Sequence, residues 1–153
     1  RKRLFGLAPE QRSAPADADR LYGRAMGRRT FARLEQLAGV ALAAGFATIV
    51  DATFLHRSSR DRFRRLAGRL GLPFVIIDCK AAPELLRQRL ALREQHANDA
   101  SEAGVRVMES QLEIDQPLGD AELAYAMAAD SGENQAALWS RLQLMTPPSS
   151  ATA

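Results

Sequence analysis

The sequence is poor in the residues that usually announce a function. One cysteine and two histidines are spread over 153 residues. A single cysteine excludes an internal disulfide, and Cys79, lying in an apolar run, reads as the reduced, packed thiol of a cytoplasmic protein. His56 and His96 each lack a second His or Cys at ligand spacing, which excludes a zinc site built on them. Aromatic residues make up 6% and are not interleaved with basic ones, so Tyr22 and Trp139 read as helix-packing residues and not as base-stacking platforms. No run approaches the ~20 apolar residues that cross a bilayer, and the amino end lacks the apolar stretch of a signal peptide. Lysine occurs only as Lys2 and Lys80, neither in a glycine-rich setting, and G-x-x-x-x-G-K-[ST] occurs nowhere, so a glycine-rich phosphate cradle is not encoded in these residues.

What is present suits one globular unit. Apolar residues make up 46% and charged ones 25%, with a net charge of +3. The basic excess is mostly arginine scattered along the chain, which predicts neither specific nucleic-acid binding nor membrane attachment. Residues 1–145 are expected to form the domain, and the Pro, Ser and Thr tail over 146–153 to be disordered.

Leu21, Phe31, Leu34, Ala38, Ala41 and Leu42 recur at steps that predict a buried helical stripe between Asp17 and Ala44, stopped by Gly45. Phe46–Ala52 reads as a strand buried on both faces and ending in Asp51. Ser58 or Ser59 can cap a helix carrying Phe63, Leu66, Ala67 and Leu70 and closed by Gly71. Phe74–Ile77 is the most β-prone segment. Pro83 opens a helix bearing Arg87, Arg89 and Arg93, and Val105, Met108 and Leu112 mark another, ended by Gln116–Gly119. Tyr125 and Met127 alternate as in a weak strand, and Ser131 can cap a last helix with Leu138, Trp139 and Leu142. This alternation predicts an α/β fold with a parallel sheet, whose chemistry gathers beyond the carboxyl ends of the strands, at Asp51, Thr53 and Asp78.

The run Ala43-Ala44-Gly45-Phe46-Ala47-Thr48-Ile49-Val50-Asp51-Ala52-Thr53-Phe54-Leu55 resembles the third-strand motif of zeta-toxin and polynucleotide-kinase-like P-loop kinases. Leu72–Cys79 is similar to the strand that follows in that family, and Leu86–Arg93 to its arginine-bearing lid helix. Asp99–Ala103, followed by Gln111 and Pro117, resembles the segment after the lid, so the likeness covers about residues 1–131 in order and spacing. Arg1, Lys2 and Arg3 resemble the basic residues after the family's second-strand Ser-Asp pair, and that Asp, the base toward a hydroxyl substrate, is not among these residues.

The resemblance implies an incomplete three-layer P-loop kinase fold with a parallel sheet of order 2-3-1-4-5, whose first, central strand and phosphate-binding loop are absent here. The strands around Ile49 and Ile76 would then flank a gap of roughly 10 Å, about two strand spacings. A first residue other than Met, with no strand ahead of the first helix, agrees with a truncated piece. The implied cofactors are ATP and Mg²⁺. Asp51 would hold Mg²⁺, or merely cap the following turn. Thr53, two residues on, would face the same side and contact substrate or metal water, or serve as a turn hydroxyl. Arg89 and Arg93, an i,i+4 pair, would close on the phosphates, or lie in solvent as helix arginines often do. Arg87 lies off that face.

The parent would thus be an ATP-dependent kinase acting on a small hydroxyl-bearing acceptor, inactive as these residues alone. A degenerate nucleotide-binding regulatory module of a larger phosphotransferase is the alternative. ATP-binding AAA-type domains of this look are often joined to an aminoglycoside-phosphotransferase-like domain, which would lie upstream.

Overall fold

A computed structural model describes residues 1–8, 11–95, 104–130 and 134–146. Its elements in chain order are α1 (Lys2–Phe5), a 3₁₀ turn (Pro15–Asp17), α2 (Ala18–Tyr22), α3 (Arg24–Ala43), α4 (Arg57–Arg69) and β1 (Ile76–Lys80). They are followed by α5 (Pro83–Gln95), α6 (Val105–Ile114), α7 (Asp120–Leu123), β2 (Ala126–Asp130) and α8 (Gln135–Met145). The structure thus mixes helices with parallel strands, as an α/β fold requires.

The helical stripe expected between Asp17 and Ala44 is two helices, because Gly23 takes an extended conformation (φ −67°, ψ 162°) between α2 and α3. Both long helices end as predicted. Gly45 (φ 85°) follows α3, with the Phe46 N–H donating to the Ala41 carbonyl and the Gly45 N–H to that of Leu42. Gly71 (φ 65°) repeats this six-to-one closure after α4. Left-handed backbone at the residue after the cap is what lets the last carbonyls of each helix be satisfied, and glycine adopts it without a steric penalty.

The starts differ from expectation. Residue His56, not Ser58 or Ser59, caps α4, since the helix already begins at Arg57 and both serines fall in its first turn. Asn134, whose side chain accepts the Ala136 N–H at 2.8 Å, caps α8; Ser131 lies outside the described residues.

The core lies between α3 and α4. Ala38, Phe63 and Leu66 are buried at its centre, with Phe31, Leu34, Leu42, Val50, Phe54 and Phe74 packed against them. Glu35 ties the two helices at the surface through Arg62 (2.6 Å) and Arg69 (3.7 Å). Beside this, Leu21 of α2 and Met26 of α3 are buried, and Arg1 stacks on the Tyr22 ring at 5.0 Å. Tyr22 thus packs, as expected. Trp139 does not: it is 58% exposed, because Leu138, Leu142 and Met145 form the half-buried stripe of α8 and Trp139 sits one residue, about 100° of helix turn, away.

The sheet has two parallel strands in register from Ile76↔Ala126 to Lys80↔Asp130. The alanine-rich β2, expected only weakly from Tyr125 and Met127, forms because its Met127 and Ala129 are buried while its backbone pairs with β1. Strand β1 starts two residues later than its apolar run, and Phe74 packs beside Tyr125 at 5.6 Å between ring centroids.

Phe46–Ala52 is not a strand. The segment has no regular secondary structure and pairs with no strand among the described residues, leaving Phe46 68% and Ile49 81% exposed. β-propensity describes a fit to a pleated, half-buried surface, and among the described residues no second strand lies alongside to supply one. Among the described residues no helix is long and apolar enough to cross a membrane. The tail from residue 147 lies outside the described residues.

Candidate functional site

The segment after α3 turns inward at alternate residues. Val50 and Phe54 pack on the α3–α4 core, whereas Asp51 and Thr53 between them are exposed. The exposed Asp51 and Thr53 therefore alternate with less exposed neighbours, although no sheet among the described residues imposes it.

Phe54 then turns the chain. Its φ of 46° is the only positive value among the described residues outside glycine, a conformation costing a bulky side chain about 1–3 kcal/mol. Two edge-to-face ring contacts hold it, with Phe31 at 5.1 Å and Phe63 at 5.2 Å. Its carbonyl accepts a 3.0 Å hydrogen bond from Nη1 of Arg60.

Arg60 is 5% exposed and Glu122 1% exposed, and the two form a bidentate pair. Nε of Arg60 donates to Oε1 of Glu122 at 2.6 Å, and Nη2 donates to Oε2 at 2.9 Å. Nη1 also donates to the Gln116 carbonyl (3.0 Å), and Nη2 to that of Pro117 (3.4 Å). All five guanidinium N–H groups are thereby used, which is what an arginine needs to lie away from water. The remaining lone pairs of Glu122 take up the Gly119 N–H at 3.0 Å, the return half of a capping box at the start of α7. The hydrogen bond from Arg60, outweighing burial and aided by the Gly119 N–H, holds the Glu122 carboxyl down at about 2; the same bond raises Arg60. Two further bonds run alongside: the Gln116 N–H donates to the Leu55 carbonyl (2.8 Å), and the Arg57 N–H to Oε1 of Gln116 (2.9 Å).

The other expected positions are spread more widely. Arg89 is exposed and Arg93 half-buried on α5, while Arg87 at the surface reaches Glu84 (3.6 Å) and Glu109 of α6 (3.7 Å). Asp78 on β1 pairs with Lys80 at 3.1 Å. Lys80, Ala81, Ala82, Ala128 and Ala129 line a shallow depression of about 340 Å³ beyond the carboxyl ends of β1 and β2. Cys79, near that end of β1, is exposed and not packed. His56 is exposed at its cap; His96 and Asp99–Ala103 lie outside the described residues. Among the described residues no three His, Cys, Asp or Glu side chains gather where a metal would sit.

Arg60 and Glu122 are the pair that the sequence reading passed over. A signal for Arg60 was available: it sits three, six and seven residues before Phe63, Leu66 and Ala67, so a guanidinium occupies a position of the apolar stripe of α4.

A family model described as an AAA domain matches residues 1–118, more than half of the chain. The chain belongs to the AAA domain family. This is a family of P-loop NTPase-like, kinase-type domains, so a nucleotide-binding, kinase-like module is the coarse assignment. The matched span of this AAA domain contains Asp51, Thr53, Arg60, Arg89 and Arg93, and it stops short of Glu122 and β2. No curated protein and no solved structure matches.

Proposed function

We propose that these residues are part of an ATP-dependent small-molecule kinase domain of the zeta-toxin and polynucleotide-kinase-like type, which transfers the γ-phosphoryl group of ATP to a hydroxyl-bearing acceptor in the cytoplasm. The observation that carries this reading is the AAA domain match over residues 1–118, within which Asp51 and Thr53 are both exposed. Asp51 would hold Mg²⁺. That cation keeps most of its water and takes one or two carboxylates beside substrate phosphates, so a lone exposed carboxylate suits it better than a closed acidic cage would. When bound, it neutralises charge on the phosphoryl oxygens. Thr53 would contact a metal-bound water or the acceptor, and Arg89 and Arg93 would close on the phosphates from α5.

No G-x-x-x-x-G-K-[ST] lies in the sequence, so these residues do not cradle the triphosphate unaided. In this reading the loop and its strand come from chain outside the 153 residues, and the exposed Phe46 and Ile49 are where that strand would lie. An upstream aminoglycoside-phosphotransferase-like domain would complete the protein. The residues alone would be inactive.

The test is ADP release by the full-length protein with Mg²⁺, ATP and a panel of hydroxyl acceptors. Asp51→Ala is expected to lower kcat about 100-fold or more and Arg89→Ala about tenfold. Turnover that survives Asp51→Ala intact would remove the kinase assignment of this site. The absence of the cradle lysine favours a second reading, a nucleotide-binding regulatory module. ATP that raises the thermal midpoint of wild type without any turnover would select it.

A further inference from the structure

We infer that Arg60 and Glu122 are positioning residues for the Asp51–Thr53 tip, clamping the turn at Phe54 against the Gln116–Gly119 segment. The inference rests on the reading of Asp51 and Thr53 given above. Its basis is how this segment is held. No strand pairs with residues 46–52 among the described residues, so no ladder sets where the two side chains stand. What sets it is the inward packing of Val50 and Phe54 and a handful of polar bonds immediately after Thr53. A left-handed Phe54 persists only where its surroundings over-determine it. Nη1 of Arg60 supplies that constraint at the Phe54 carbonyl, and the same nitrogen binds the Gln116 carbonyl. Glu122 in turn fixes the guanidinium through two bonds and the turn through the Gly119 N–H.

A simple ion pair would need only the two charges. Here three of the five N–H groups go to backbone carbonyls on both sides of the clamp, at Phe54, Gln116 and Pro117. Lysine keeps the charge but offers three donors from one point, and it cannot span both the carboxylate and the Phe54 carbonyl as the planar fork does.

The experiment compares wild type, Arg60→Lys and Gln116→Ala in the full-length protein, reading amide hydrogen exchange together with kcat and the Mg²⁺ concentration for half-maximal rate. Arg60→Lys is expected to speed exchange at Arg57 and at position 116 about tenfold or more, leaving β2 amides within about twofold. It should lower kcat about tenfold and raise the Mg²⁺ requirement severalfold, since a small misplacement of a metal-holding carboxylate is costly. Gln116→Ala, which removes the side-chain acceptor of the Arg57 N–H, should speed exchange at Arg57 and raise the Mg²⁺ requirement by less than Arg60→Lys does, and it decides the matter if Arg60→Lys does not fold. A folded Arg60→Lys protein with uniform exchange and an unaltered Mg²⁺ requirement overturns the inference. If wild type shows no turnover, the kinase reading fails by itself, and the clamp then stands or falls on whether exchange at position 116 changes.

Discussion

Two non-helical segments of the chain, β1 and residues 46–56, are held by different forces. Strand β1 lies on a parallel ladder, five residues paired with five of β2, so its position is carried by many backbone bonds that no single side chain owns. Residues 46–56 are fixed by inward-facing Val50 and Phe54, and by a buried guanidinium that reaches across to Glu122. A ladder is insensitive to most single substitutions. A clamp concentrates its strength in two residues, and so it also concentrates its vulnerability.

The sharpest way to break this contrast is Glu122→Ala. The change leaves Arg60 buried without its counter-charge, and it should cost about 3–5 kcal/mol in urea unfolding. A loss below about 1 kcal/mol would show that water readily replaces the carboxylate.

Acid provides the next largest effect. Glu122 titrates at about 2 in the folded protein against an ordinary value of 4.5, so its contribution is complete above the ordinary value and fades as pH falls toward the lower one. That contribution is about 3 kcal/mol, and stability measured between pH 5 and 2 should fall by about that amount more in wild type than in Glu122→Gln, which carries no titrating group.

The smallest effect sharpens the comparison from the other side. Ile49 is 81% exposed, and in that setting Ile49→Thr would change stability by under about 0.5 kcal/mol. In the full-length protein, where the proposed reading lays a strand over Ile49, the expected cost is about 1–2 kcal/mol. Thermal unfolding of that pair of proteins separates the two values, and a negligible cost would leave the segment facing solvent.

How much of this was legible in the sequence follows from the range of the forces involved. Gly45 and Gly71 declared the ends of α3 and α4 because a helix stop is decided within a few residues, and the Pro83 start of α5 was readable for the same reason. Phe63, Leu66 and Ala38 were readable as core from periodicity alone. Phe46–Ala52 misled because its composition describes a strand, whereas pairing depends on what lies alongside. Arg60 and Glu122 are 62 positions apart, and no local pattern joins them. Only the odd placement of Arg60 on an apolar stripe hinted that it had a buried partner. For the candidate site, the left-handed bend at Phe54 was not readable, since nothing in the neighbouring residues asks a phenylalanine to be left-handed.

The exposed thiol near the carboxyl end of β1 has a practical use. Cys79 is the sole sulfhydryl within these 153 residues, and it is solvent-exposed next to Lys80. A maleimide fluorophore will therefore attach at one known point in these residues without any engineered change, on the side of the sheet where a phosphorylated ligand would be looked for first.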